Sequence, residues 1–251
     1  MPVNNRMNLF SNETKDNKNN TIVQLFHGST RVIEKPLWGY GSSDNDYGSG
    51  FYLTPIQELA DAWAISTGEN DSAIVSCYEI DLQNLNVLNL DDYGPLAWIS
   101  EIAANRGVTS SFAEAFISDL IEMYKVDTSG ADVIIGYRAD DSYGEVVRSF
   151  CEGKLAIDEV TKLFYKGSLG VQYFLKSRKA FDTIQFLKSY TSAENHEQQI
   201  KESQARQEVF AFLNKRELEL AKRLQLPPIT IIDAITDKYV YNKEYKYYSK
   251  E

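Results

Sequence analysis

The stretch Tyr47–Trp63, YGSGFYLTPIQELADAW, constrains the fold more than any other part of the chain. Gly48 and Gly50 let the backbone turn tightly or approach a neighbour with no Cβ in the way. Phe51-Tyr52-Leu53 is an apolar, aromatic triplet suited to a short strand. A helix start follows, with Thr54 as N-cap, Pro55 at the first helical position and Gln57 three residues after the cap. Ile56, Leu59, Ala60 and Trp63 share one helical face. The reading is glycine turn, strand end, capped helix, with Tyr52 and Trp63 facing each other across a slot that suits a flat heteroaromatic ring.

Around this stretch the pattern alternates short strands with short helices. Strands are expected at Thr21–Phe26, Ala73–Leu82, Asn86–Leu90, Asp132–Tyr137, Val171–Lys176 and Thr183–Tyr190. Helices are expected at Pro95–Asn105, at Ser111–Lys125 with a Ser111/Glu114 capping box, near Glu145–Glu152 and at Ile157–Tyr165. Asp140 to Glu145 reads as an acidic turn. The spacing is not that of regular βαβ units, so the fold class expected is α+β with mostly antiparallel sheets. Residues 1–20, with seven asparagines, read as a flexible lead-in; residues 21–190 form the domain. Residues 191–251 read as a helical C-terminal extension, its apolar positions too sparse for a core helix, broken at Pro227-Pro228 and ending in a small docked element.

Charge and rare residues exclude several classes of function. The net charge of −10 argues against non-specific binding to nucleic acid or anionic lipid. Residues 191–251 carry ten basic and ten acidic groups, so the first 190 residues hold the whole imbalance. No apolar run approaches the ~20 residues of a membrane span, the first residues lack the apolar core of a secretory signal, and the two cysteines, Cys77 and Cys151, are far apart. A cytoplasmic protein with reduced thiols is expected. His27 and His196 are the sole histidines, so spacing assembles no His/Cys metal site. No G-x-S-x-G, Walker or G-x-G-x-x-G motif is present.

The ordered segments HGST, YGSGFYLT, ELADAWA, DVIIGYRADD and VQYFLKSRKAF resemble the ADP-ribosyltransferase superfamily over about residues 22–190. The resemblance is to its His-Tyr-Glu branch, which includes diphtheria toxin and the poly(ADP-ribose) polymerases, and within it to a bacterial family of uncharacterised domains. It implies two small, mostly antiparallel sheets with flanking helices. It also implies NAD as substrate, cleaved at the nicotinamide–ribose bond, with ADP-ribose passed to an unidentified protein or nucleic-acid acceptor. On that resemblance His27 meets the adenosine ribose, and the backbones of Gly28 and Ser29 meet the nicotinamide amide. Gly50 lets the backbone come close, Tyr52 stacks on the nicotinamide, and Trp63 closes the slot where the family usually has a second tyrosine. The family's catalytic glutamate falls at Gln172, an amide that orients a ribose without supplying countercharge. Glu145, after a glycine near a sheet end, is the candidate replacement carboxylate.

The family analogy extends to a role as a bacterial toxin or phage-defence effector, with residues 191–251 available to an antitoxin or other partner. Two other classes stay open: a catalytically silent NAD or nucleotide sensor on the same fold, and an interaction protein acting through the C-terminal extension. Taken singly, His27 also reads as an ordinary strand-end histidine, and Tyr52 and Trp63 as core packing.

Overall fold

The structure is a computed structural model. It describes residues 21–67, 73–107, 114–138, 141–166, 170–192, 203–204, 206–213, 215, 230–242 and 247–250. The lead-in 1–20, Ser111 of the expected capping box, Asp140 and His196 lie outside the described residues.

Two small sheets and several helices make an α+β architecture. The first sheet has the order β1 (Ile22–Ser29), β3 (Ile74–Asp81), β7 (Ile184–Thr191), all antiparallel. The second has the order β2 (Phe51–Leu53), β6 (Val171–Leu175), β5 (Val133–Tyr137), β4 (Val87–Asn89). Only β4 and β5 run parallel. The sheets meet where Phe26 and Thr54 exchange backbone hydrogen bonds of 2.8 and 2.9 Å.

Strand alternation sorts the core into three layers. Leu25 on β1, Tyr78 and Ile80 on β3, Val133 on β5 and Leu175 on β6 meet between the two sheets. Phe26, Val75 and Cys77 turn the other way and bury Ala60 and Ala64 of α1 (Gln57–Thr67). Ile134 and Phe174 face the largest cluster, formed with α2 (Pro95–Arg106), α3 (Glu114–Tyr124), α4 (Asp141–Cys151) and α5 (Ile157–Lys166). The second sheet is therefore covered on both faces, which explains the unbroken apolar runs of VIIGY and VQYFL.

Three expectations are corrected. Helix α1 starts at Gln57, because Ile56 rather than Thr54 offers the first carbonyl, to the amides of Leu59 and Ala60. Thr54 instead accepts from the Ile56 amide at 3.2 Å and donates to the Val171 carbonyl, tying β2 to β6. From Asp141 onward the expected acidic turn is the start of α4, which places Glu145 on a helix. Ser177 caps a further short helix, α6 (Arg178–Thr183), through the Ala180 amide.

The C-terminal extension is neither wholly helical nor detached. Residues 206–213 are helical, Ile231–Thr236 is a short helix, and β8 (Tyr239–Asn242) pairs with β9 (Tyr247–Lys250) as a hairpin. Val209, Ile231 and Ala234 belong to the largest core cluster. The Tyr124 hydroxyl donates to the Ala234 carbonyl at 2.9 Å and accepts from the Tyr239 amide at 3.2 Å. Burying a Val or Ile side chain is worth about 1.5–3 kcal/mol, so truncation after Thr191 is expected to lower the melting temperature by roughly 10 °C. Thermal melts followed by circular dichroism check this; an unchanged midpoint would make the extension a dispensable appendage.

Candidate functional site

Two adjoining clefts open beside the junction of the sheets. One, of about 650 Å³, runs from His27 and Gly50–Tyr52 beneath the Arg31–Leu37 loop. The other, of about 550 Å³, is lined by Tyr52, Trp63, Ser66, Thr67, Asp46, Gln172 and the guanidinium groups of Arg106, Arg138 and Arg206. Tyr52 and Asn45 belong to both, so Tyr52 stands at the boundary between the two compartments.

The partition is fixed through backbone. Gly48 adopts φ +86°, the left-handed region that other residues avoid, and closes a turn with its amide on the Asn45 carbonyl. Across that turn the Tyr52 hydroxyl donates to the Gly48 carbonyl at 2.8 Å and accepts from the Tyr47 amide at 3.0 Å. The Tyr52 ring packs on Phe174, its cross-strand partner, with centroids 4.8 Å apart. Burial pushes the Tyr52 hydroxyl well above the ordinary phenol range. It stays protonated, and both of its hydrogen-bonding directions are used by the turn.

Behind the partition lies a buried polar chain. The Tyr47 hydroxyl donates to the Tyr137 carbonyl at 2.7 Å and accepts from Trp98 Nε1 at 2.9 Å. Gly136 permits this, since a Cβ there would overlap the Tyr47 hydroxyl. Directly across the ladder from Gly136 is Gln172, 2% exposed. Its Nε2 donates to Asp46 Oδ2 at 2.9 Å and to the Tyr137 carbonyl at 3.2 Å. The other Asp46 oxygen, Oδ1, lies 2.6 Å from Arg106 Nε. Asn105, at the end of α2, donates to the Asp46 carbonyl. A carboxylate 4% exposed is tolerated because one oxygen accepts from the Gln172 amide and the other is ion-paired with Arg106.

The remaining wall is aromatic and cationic. The Arg138 guanidinium sits 4.7 Å above the Trp63 ring, a cation–π arrangement. Arg206 reaches the same cleft from the C-terminal extension. Among the described lining residues this cleft carries three arginines and one aspartate on a chain of net charge −10, and clefts of one sign concentrate ligands of the other.

The structure brings His27, Gly50, Tyr52, Trp63 and Gln172 to the two clefts. His27 lies inside β1, opposite Ser76, rather than past the strand end. Its Nδ1 is 2.7 Å from the Tyr52 carbonyl and its ring packs on Phe51 at 4.4 Å. A carbonyl only accepts, so Nδ1 carries the proton and Nε2 is the acceptor. Burial lowers the imidazole below its ordinary 6.5, against the raising effect of that hydrogen bond. Gly28 has a packing reason to be glycine: a Cβ would overlap the Ala60 carbonyl and the Ala64 amide of α1. Gly50 likewise lies against the Phe174 ring and the Leu175 carbonyl. The Ser29 hydroxyl donates to the Arg31 carbonyl at the surface.

Glu145 does not line either cleft; it pairs with Arg148 one turn along α4. The carboxylate beside Gln172 is Asp46, which the sequence presents as one of three polar residues in an apparent loop, Asp44-Asn45-Asp46. Arg106, Arg138 and Arg206 were also not anticipated. Arg138 carried a signal, since it directly follows strand β5 and Gln172 stands second in β6.

Fold and site together define an α+β protein with a divided, arginine-lined cleft at a sheet junction. Residues 23–186 match the family described as protein of unknown function (DUF3990), and the chain belongs to that family. No curated protein and no solved structure matches the chain significantly.

Two outcomes follow from the geometry. Tyr52→Phe is expected to cost about 1–3 kcal/mol in denaturant unfolding, because it strands the Gly48 carbonyl and the Tyr47 amide; an unaltered midpoint would show that the turn needs no clamp. His27 resists a proton that the unfolded chain accepts, so its contribution to stability is present above the ordinary imidazole value of 6.5 and is lost as pH falls below it. His27→Gln should therefore flatten the dependence of melting temperature on pH between about 7 and 5.

Proposed function

We propose that this protein is an NAD-dependent ADP-ribosyltransferase, which cleaves the nicotinamide–ribose bond and passes ADP-ribose to a macromolecular acceptor. The observation that carries the reading is the divided cleft. An aromatic partition, Tyr52, stands between a compartment beside His27 and one bearing three arginines. A dinucleotide has the same division: flat rings and ribose hydroxyls joined by a diphosphate.

The parts take the following roles. Arg138 and Arg206 hold the diphosphate oxygens, with Arg106, ion-paired with Asp46, beside them. The Tyr52 face receives the nicotinamide, its hydroxyl being committed to the Gly48 turn. Neutral His27 offers Nε2 to a ribose hydroxyl. As the glycosidic bond breaks, its electron pair leaves with the nicotinamide nitrogen and positive charge grows on the ribose. The acceptor nucleophile then bonds to the ribose carbon and gives up its proton. Supporting the reading further, His27, Tyr52 and Gln172 come from β1, β2 and β6, the strands that meet at the sheet junction. An ADP-ribosyltransferase-like fold is part of the same proposal.

A silent NAD sensor is the second reading, favoured by one observation: the residue facing the cleft on β6 is an amide. Nicotinamide release separates the two. The C-terminal extension supplies core residues and Arg206, which weighs against a free interaction arm.

The test is incubation with NAD and chromatographic measurement of free nicotinamide, alongside calorimetric titration of NAD. Wild type is expected to bind NAD and release nicotinamide. Tyr52→Ala should weaken binding by about 1–3 kcal/mol, the scale of one aromatic stacking contact. Arg138→Gln should weaken it in a salt-dependent way. Binding without release by wild type would select the sensor; no binding at all would remove both readings.

A further inference from the structure

Gln172 is held in one orientation. Both of its Nε2 partners, the Asp46 carboxylate at 2.9 Å and the Tyr137 carbonyl at 3.2 Å, can only accept. The amide assignment is therefore set by chemistry rather than by choice. Nε2 faces inward, and Oε1 is the end of the amide left for a ligand in the cleft that Gln172 lines. Asp46 is in turn oriented by Arg106 on its other oxygen and by Asn105 on its backbone carbonyl.

We propose that Asp46 is a positioning residue for the transfer reaction: by accepting from Gln172 Nε2 it aims and polarises the Gln172 carbonyl, so that this amide performs the task of a carboxylate. The inference rests on the transferase reading above. A hydrogen bond from an amide to a carboxylate draws electron density toward Oε1, because linked hydrogen bonds polarise one another in a poorly solvated site. Oε1 then accepts from a ribose hydroxyl and faces the charge that develops as nicotinamide leaves. The negative charge stands one group further back, and the pair Asp46–Gln172 replaces a single acid. No bond forms or breaks at either residue. Glu145 has no part in this, since its carboxylate is engaged with Arg148.

The arrangement makes an unusual demand on substitution. Gln172→Glu would put a second carboxylate against Asp46, and two carboxylates in contact do not both stay ionised. Restoring a carboxylate at position 172 is therefore expected to harm turnover in the native background. It should help only when Asp46 is neutralised as well.

The experiment is a charge swap read as nicotinamide release from NAD in single turnover, with NAD affinity measured by calorimetry. Asp46→Asn is expected to lower the release rate by about tenfold to a hundredfold while NAD affinity changes by less than about threefold, the signature of a group that acts when charge develops. Gln172→Glu alone should also lower the rate by at least about tenfold. The double variant Asp46→Asn/Gln172→Glu should recover to within about fivefold of wild type, which a merely structural role for Asp46 would not produce. Should Asp46→Asn fail to fold, Gln172→Glu alone decides: a raised rate overturns the proposal, because it means that Asp46 does not face residue 172. An active wild type with no recovery in the double variant overturns the relay and leaves the transferase reading standing. A wild type that releases no nicotinamide overturns the transferase reading, and the relay with it.

Discussion

Two reciprocal backbone hydrogen bonds between Phe26 and Thr54 join the sheets, and the site depends on them. They place β1 beside the start of α1 and bring the His27 ring under the Tyr52 carbonyl. Thr54 adds a side-chain bond to Val171, so one residue touches β1, β2 and β6. Main-chain bonds of this kind tolerate no slip, since a shift of one residue would turn His27 and Tyr52 to the opposite faces of their sheets. The short β2, three residues long, could not hold such a register alone. It is held by Tyr52 on the Gly48 turn at one end and by Thr54 at the other.

Close backbone approach is the second condition. Gly28 lets α1 lie against β1, which brings Trp63, Ser66 and Thr67 to the cleft wall. Gly50 lets the chain lie against Phe174, and Gly136 admits the Tyr47 hydroxyl. Each of these glycines leaves space for neighbouring protein that a Cβ would fill. Gly50 also lines the cleft beside His27 itself.

Much of this was legible beforehand, for physical reasons that differ by element. Strands such as DVIIGY and VQYFLK are buried on both faces, so their apolar runs stand out. Helix α2 follows Pro95 at its first position, a local signal that tertiary packing did not override. Tyr52 stood out within a glycine-flanked aromatic triplet and Trp63 on an apolar helical face, both short-range features, whereas Gln172 was marked by the family resemblance alone. Asp46 and the three arginines were not legible, because their roles come from pairings across the fold. A polar residue in a loop carries no mark of the amide it will meet far along the chain. The extension misled for a related reason. Val209, Ile231 and Ala234 are few and widely spaced, so no periodicity announces that they complete a core.

The separations themselves have a consequence in time. Gln172 and Asp46 are 126 residues apart, Thr54 and Val171 are 117 apart, and Tyr47 and Tyr137 are 90 apart. Each pairing closes a long loop, whose entropy must be lost before the contact returns anything. The helices can organise locally, whereas the cleft comes together only when distant parts of the chain have found one another. A half-folded molecule therefore holds much secondary structure and no site. Any ligand that occupies the cleft binds the finished molecule alone, and its binding reports the last event of folding rather than the first.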